Sequence, residues 1–526
     1  MKAQSFMRGA VILTTAGLIS KLLGAAYRIP FFRVVGSEGM GLYQMAYPLY
    51  TMLLAVSSAG IPVAVSKLVA EKLAYRNLAQ ANRVFRISLI FIALVSGAAS
   101  IILYIGAPYL AERVLHDSRA YYSIAAISPA VFLVGIMSVF RGYFQGFQEM
   151  GPTACSQVLE QFFRVGTVLA GAYIFLPRGV EFAAAAATFG AVTGAMAGVI
   201  FVAGLYYIRP NYRSSSPGPG WGFSGNSPGT IPILYRVIVL ALPISLGSMV
   251  MPVMQTLDAL TVPGRLQLAG YSVSRATQLY GELTGGAVTL INLPTVITIS
   301  LAASLVPAIS GLFERKNYFD LRGQAKAAID ITLVVCLPAA AGLAVLAAPI
   351  SDLLFKCPEA GLPLRYLAPA AVFLGLHQTT SGVLQGLGRT FIPVMNLVIG
   401  AVIKFGANYL LTPIPHIGII GAALGTVSGF MTSSFLNYLF IRRFIGWQPN
   451  YHIMLLKPLA AATIMAAAVY FIYGHTKIVT GGSLATVISI FTGILLYAAV
   501  LSWSGAFRDL GVPGPVRILR RIIRIR

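Results

Sequence analysis

The chain has 526 residues, 57% of them hydrophobic and 10% charged, with 38 Lys and Arg against 15 Asp and Glu and a formal net charge of +23. A water-soluble chain carries about 25% charged residues, so a soluble globular protein is excluded, and no stretch reads as a separate soluble domain. The basic excess lies mostly in short loops between apolar runs, the bias that orients membrane proteins, which sets nucleic acid aside as a partner. Apolar runs near the ~20 residues that cross a hydrocarbon core predict an all-α polytopic membrane protein of about 14 transmembrane helices. They fall near 7–32, 43–70, 86–107, 121–146, 153–176, 181–207, 232–257, 281–310, 326–349, 365–388, 391–413, 417–441, 455–474 and 481–503.

The first run follows Lys2 and Arg8, as a signal peptide would, but so many further spans make it a retained first helix. An even count puts both termini on one side, and most Lys and Arg on that side make it cytoplasmic. The stretch "RSSSPGPGWGFSGNSPGT", Arg213 to Thr230, reads as a flexible linker. The expected organisation is therefore an N-lobe at 1–207 (helices 1–6), a cytoplasmic linker at 208–231 and a C-lobe at 232–443 (helices 7–12). Helices 13 and 14 occupy 444–505, and a basic tail 506–526. In that tail Arg517, Arg520, Arg521 and Arg524 stand at helical spacing. This suits either a helix on anionic inner-leaflet lipids or a disordered basic tail.

Shifting the chain against itself by 240 residues aligns Arg76-Asn77 with Lys316-Asn317, Gly135 with Gly375, Gly142 with Gly382 and Gln145-Gly146 with Gln385-Gly386. Arg164 falls on Lys404, and slightly out of step "GAVTG" at 190–194 answers "GTVSG" at 425–429. The offset spans six helices, so the halves share one topology: parallel repeats, the organisation of an alternating-access transporter.

Within the stretch "GLISKLLGAAYRIPFFRVVG" (17–36), Lys21, Gly24, Ala25 and Arg28 share a helix face, with the two cations about 10 Å apart along the axis. Arg33 fits the membrane interface, and Arg28 fits either the interface or a cleft. Lys21, past the middle of its span, fits a cleft. Glu160 and Arg164 stand at i, i+4, a spacing that allows an ion pair. Lys404 has only Gly400 at the matching position and needs another partner or an anionic ligand. Asp258 and Arg265 flank an expected break at Pro263-Gly264, and Glu282 opens the following helix. Asp258 suits an ion pair or a coupling-ion site, and Arg141 an ordinary anchor at the cytoplasmic end. Cations outnumber acids in this set, which suits an anion, phosphate above all. No GxxxxGK[ST], HExxH or GxSxG motif occurs. The five histidines lack metal-ligand spacing, and Cys155, Cys336 and Cys357 show no CxxC pattern. The chain is therefore read as a transporter without catalytic residues, metal or cofactor, with Na⁺ or H⁺ coupling left open.

Ser20-Lys21-Leu22-Leu23-Gly24, "VVGSEGMGLYQMAYPLYTMLLAVSSAGIPVAVSKLVAE" at 34–71 and "FRGYFQGFQEMGPTACSQ" at 140–157 resemble a known family. It is the polysaccharide-flippase branch of the multidrug/oligosaccharidyl-lipid/polysaccharide exporter superfamily. The likeness is greatest to the stage V sporulation protein B group, relatives of the MurJ lipid II flippases. The resemblance implies a bacterial plasma-membrane protein of two six-helix lobes rocking about a central cavity, with helices 13 and 14 forming a groove for an isoprenoid tail. It implies an undecaprenyl-diphosphate-linked cell-wall precursor as substrate, lipid II first among them, held at the diphosphate by cavity cations. By position, Ser20 and Lys21 match the family's Ser-Arg pair, with Lys in place of Arg, and helix 2 lacks the basic pair of Gram-negative relatives. The substrate-binding set is then Ser20, Lys21, Arg28, Arg164, Lys404 and Arg265, with Asp258, Glu160 and Glu282 for coupling or ion pairing. Other lipid-linked polysaccharide units, a cation/multidrug antiporter and a scaffold recruiting cell-wall synthases are the competing readings.

Overall fold

The computed structural model describes residues 2–209, 229–446 and 452–505, with side chains from Ile12 onward except at Thr14, Lys21, His452, Ile453, Val479 and Thr480. Most of the expected linker, the basic tail and the Lys21 side chain therefore lie outside the described residues. Among those described there are helices and no strand. The first half comprises α1 (Lys2–Ala26), α2 (Arg28–Ser57), α3 (Ile61–Ala74), α4 (Leu78–Tyr109), α5 (Ala120–Gly146), α6 (Gly151–Phe175) and α7 (Val180–Ile208). The chain continues with α8 (Thr230–Leu268), α9 (Val273–Gly281), α10 (Val288–Glu314), α11 (Tyr318–Val345), α12 (Ala347–Phe355) and α13 (Gly361–Leu367). It ends with α14 (Ala370–Gly386), α15 (Phe391–Leu411), α16 (Ile419–Ile445), α17 (Lys457–Thr480) and α18 (Gly482–Trp503).

Among the described residues, 12 segments are long and apolar enough to cross a membrane, against the 14 expected. The difference lies in two places. Residues 15–74 form one near-continuous 60-residue helical segment, and the 17-residue α14 is short for a span. Boundaries near the start also differ from the sequence reading. The polar stretch around Ser37 and Glu38 reads as a loop, yet the helix runs through it with a kink at Gly36, which lacks a Cβ and so adopts a φ of 69° without a clash. The expected helix 43–70 is instead interrupted at Ser58–Gly60, where Pro62 enters the first turn of α3. Pro263-Gly264 does not end its helix, because α8 carries Pro243, Pro252 and Pro263 within it. Membrane helices tolerate proline when neighbours satisfy the freed carbonyls.

The chain divides into two compact units, residues 1–264 with 273–278, and 265–272 with 279–526. The first unit thus includes most of α8, which the sequence reading assigns to the second lobe. Ile233, Val237 and Ala241 of α8 join its core with Val65, Phe85, Phe140 and Tyr143. The Gly60 amide donates to Ser245 Oγ at 3.1 Å, and Arg236 pairs with Glu71 at 2.7 Å. The second unit has its own core around Leu321, Ala325, Ile329, Leu333, Val383 and Ile441. Ile102, Ile105 and Phe471 are among the large apolar side chains exposed on the helices. In a membrane these face lipid, so their exposure carries no hydrophobic penalty.

The 240-residue offset reappears as matched contacts inside each unit. A Cβ placed on Gly142 would lie 2.8 Å from the Pro62 carbonyl oxygen, and one on Gly382 would lie 2.8 Å from that of Ala302. Gly146 meets Ser66 and Val69 as Gly386 meets Val306 and Ile309, and Gly135 meets Ile92 and Ser96 as Gly375 meets Thr332 and Cys336. Each of these paired partners is displaced by the same 240 positions. Asn77 and Asn317 cap their helices identically, accepting from the Gln80 and Asp320 amides at 2.9 and 3.2 Å.

Candidate functional site

The first unit gathers its charges inside the membrane helices α2, α5 and α6. Arg164 donates to Glu160 at 2.7 Å along α6, as the i, i+4 spacing allows. Arg141 of α5 donates to the other Glu160 oxygen at 2.9 Å and through Nε to Ser156 at 2.8 Å. Side-chain exposures of 11–16% mean these ions are nearly withdrawn from solvent. Burying them is expensive unless each is paired, and the geometry pairs them: one carboxylate bridges two guanidinium groups. Arg141 is therefore part of the cluster rather than an ordinary anchor at the cytoplasmic end. The link joins two helices over 19 residues, which no spacing rule reveals.

Arg28 lies at the start of α2, directly after Tyr27, whose helical φ of −67° and ψ of −21° and amide bond to the Leu23 carbonyl at 3.2 Å carry the turn on from α1. Its neighbours are tyrosines. Tyr27, Tyr43 and Tyr47 act on it electrostatically, while Tyr43, Tyr47 and Tyr50 act on Arg164. The Tyr27 and Tyr43 hydroxyls are 2.9 Å apart. Tyr43 and Tyr47 stack at 5.4 Å and 19°, and Tyr50 tilts against Tyr47 at 5.8 Å. This rail was not anticipated, although the 43, 47, 50 spacing marks one helix face. Ser20 lies half-buried on α1, its hydroxyl without a hydrogen-bond partner among the described residues. Asp258 belongs to α8 in the same unit.

Three of the expected site residues, Arg265, Glu282 and Lys404, belong to the second unit. Lys404 is 6% exposed, and its Cβ lies 2.9 Å from where Gly429 would carry one. Gly194 stands the same way 3.0 Å from the Arg164 Cβ. The two glycine motifs thus seat the two basic residues of the repeat. Arg265 lies over the Tyr409 ring at 3.2 Å, a cation–π contact. Glu282 is buried at the head of a π-helical turn, Glu282–Ala287.

Three further features escaped the sequence reading. In the first unit Arg119 binds Glu38 at 2.6 Å and Asp117 at 2.9 Å. Ser274 donates to Glu38 at 2.5 Å and Thr277 to Asp117 at 2.7 Å. Hydrogen bonding to Asp117 and then to Glu38 holds the Arg119 guanidinium above its ordinary pKa. In the second unit a neutral network links His377, Ser433, Asn437, Thr380, Ser381 and Asn396 across α14, α15 and α16. Two apolar cavities of about 870 and 440 Å³ flank α11 and α17, the smaller also reaching α18. Among the described residues no cluster of His, Cys, Asp or Glu could hold a metal.

Known proteins agree with this architecture. A polysaccharide biosynthesis protein family profile matches residues 6–313, and a lipid II flippase MurJ profile matches residues 286–490. Stage V sporulation protein B of Bacillus subtilis is 34% identical over 443 residues, covering 83% of each chain. Lipid II flippase MurJ of Bacillus subtilis is 29% identical over 493 residues, covering 89% of this chain and 88% of its own. A solved MurJ in an inward closed conformation superposes with a TM-score of 0.69 at 16% identity, over 95% of this chain and 99% of that one. An inward-facing multidrug resistance MATE transporter gives 0.67 at 20% identity, over 83% and 98%. These last two establish the fold, that of a multi-pass membrane transporter. The chain belongs to the polysaccharide biosynthesis protein family, and within it to the kin of stage V sporulation protein B.

Proposed function

We propose that the chain is a flippase that moves an undecaprenyl-diphosphate-linked cell-wall precursor, lipid II first among them, from the inner to the outer leaflet by alternating access. The observation that carries this reading is the cluster in the first unit. Two guanidinium groups, Arg141 and Arg164, share one carboxylate, Glu160, inside membrane helices, and Arg28 of α2 acts with Arg164 on the same two tyrosines, Tyr43 and Tyr47. Such an excess suits an anionic group that enters and leaves, and a diphosphate presents pairs of oxygens that the planar guanidinium fork can bind bidentately. Lys21, Lys404 and Arg265 are the further cations of the reading. The cavities beside α17 support a polyprenyl tail, being apolar and of the size that encloses small-molecule chains.

No catalytic residue, metal or cofactor is assigned, and Na⁺ or H⁺ coupling stays open, with Asp258, Glu160 and Glu282 as its acids. Both termini lie in the cytoplasm, the basic tail meets anionic inner-leaflet lipids, and cell-wall synthases are a further class of partner. A second reading, another lipid-linked polysaccharide unit, is favoured by the 34% identity to a sporulation protein. The test is depletion of the chain in a flippase-deficient strain, with lipid II exposure on the outer face as the readout. Wild type should restore exposure, while Lys21→Ala and Arg28→Ala reach the membrane and do not. Failure of correctly inserted wild type would move the second reading to the front.

A further inference from the structure

Phosphates alone do not distinguish one lipid-linked saccharide from another, and in the first unit a row of tyrosines accompanies the cations. Its members are not equivalent. Tyr43 and Tyr50 are 2% and 1% exposed; the first is tied to Tyr27 and edge-packed on Phe31, the second reaches Arg164. Tyr47 between them is half-buried, with one face on Tyr43, the Tyr50 ring tilted beside it, and both Arg28 and Arg164 within electrostatic reach. Side chains bearing such charges in membrane helices face a bundle interior or a watery space rather than lipid. Of the three rings in the rail, Tyr47 is the one left partly open.

The fold itself does not demand aromatic residues here. At the matching positions of the second copy stand Leu283, Ala287 and Leu290, all buried and aliphatic. Tyrosine at 43, 47 and 50 is therefore a feature of the first unit alone, found where its cations are.

We propose that Tyr47 is the stacking platform for the first sugar of a lipid-linked saccharide, whose diphosphate lies between Arg28 and Arg164. The proposal rests on the flippase reading. A pyranose presents a face of C–H bonds that packs on the electron-rich face of an aromatic ring. Its anomeric oxygen is bonded to the diphosphate, so the platform must adjoin the phosphate-binding cations, as Tyr47 does. A phenol hydroxyl at the ring edge adds a hydrogen bond to a sugar hydroxyl.

The test uses the full chain in lipid nanodiscs and two probes, undecaprenyl diphosphate and the same lipid bearing one N-acetylhexosamine. Wild type should bind the sugar-bearing lipid roughly two- to tenfold more tightly, the range of one aromatic stacking contact. Tyr47→Leu, which adopts the second copy's residue class, should abolish that preference and leave affinity for the sugarless lipid unchanged. Tyr47→Phe should keep most of it. Equal loss for both lipids in Tyr47→Leu, or an unchanged preference, would overturn the platform. If wild type bound neither lipid, the flippase reading would fall and this proposal with it.

Discussion

Glu160 is the residue on which the charges of the first unit depend. Neutralising it strands two guanidinium groups, so Glu160→Gln should cost on the order of 3 kcal/mol, read as a lower thermal midpoint of the purified protein. Adding Arg164→Leu should recover part of that loss, since one stranded charge is then removed. The three cysteines offer a check on burial. Cys155 is exposed, Cys336 is buried, and burial pushes the half-buried Cys357 thiol up. Because the thiolate is the reactive form, maleimide at neutral pH should label Cys155 and spare the other two. Two of the three members of the ion-paired cluster were legible: Glu160 and Arg164 follow from helical spacing. Arg141 was not, because its partner lies on another helix, and neither were the tyrosines, which carry no charge to mark them.

Glycines set how closely the helices approach, and the repeat makes a matched prediction. Gly142→Ala and Gly382→Ala meet the same backbone obstruction in the two units, so each should cost roughly 1–3 kcal/mol as overpacking. Gly166, with no neighbouring atom within 4 Å, is the control. There alanine should be neutral or stabilising by up to about 1 kcal/mol. The segment 273–278 is fastened by Glu38, Asp117 and Arg119, and Gly41 lets its Thr277 backbone approach α2. Arg119→Ala should therefore raise amide hydrogen exchange in 273–278 while leaving α5 and α6 protected. That fastening was illegible in sequence because its acids and its arginine sit in stretches that read as loops. The helix boundaries near Gly36 and Ser58–Gly60 were misread for a related reason: polar and glycine residues signal breaks, and packing decides which breaks occur.

At the scale of the whole molecule the fold class was legible from composition, and the duplication from a single offset. The count of spans was not, because a 60-residue run and a 17-residue helix evade any one length rule. The larger cavity of the second unit gives this scale its prediction. Leu337→Trp places an indole in a space of about 870 Å³ lined by Leu333, Leu376, Phe435 and Leu459. It should weaken binding of undecaprenyl diphosphate several-fold more than binding of farnesyl diphosphate, as measured by competition in nanodiscs. Equal effects on both would argue that the tail lies elsewhere.

The matched glycine contacts have a historical consequence. After a duplication each polar position exists twice, while each close helix crossing is needed in both copies. The crossings at Gly142 and Gly382, and at Gly146 and Gly386, have stayed in step. The chemistry seated on them has drifted apart, to an arginine–glutamate cluster in one copy and a histidine–asparagine network in the other. Symmetric ancestry thus left an asymmetric carrier. Reverting one copy's polar set toward the other's, with every glycine untouched, is a route to ancestral forms that fold but choose different cargo.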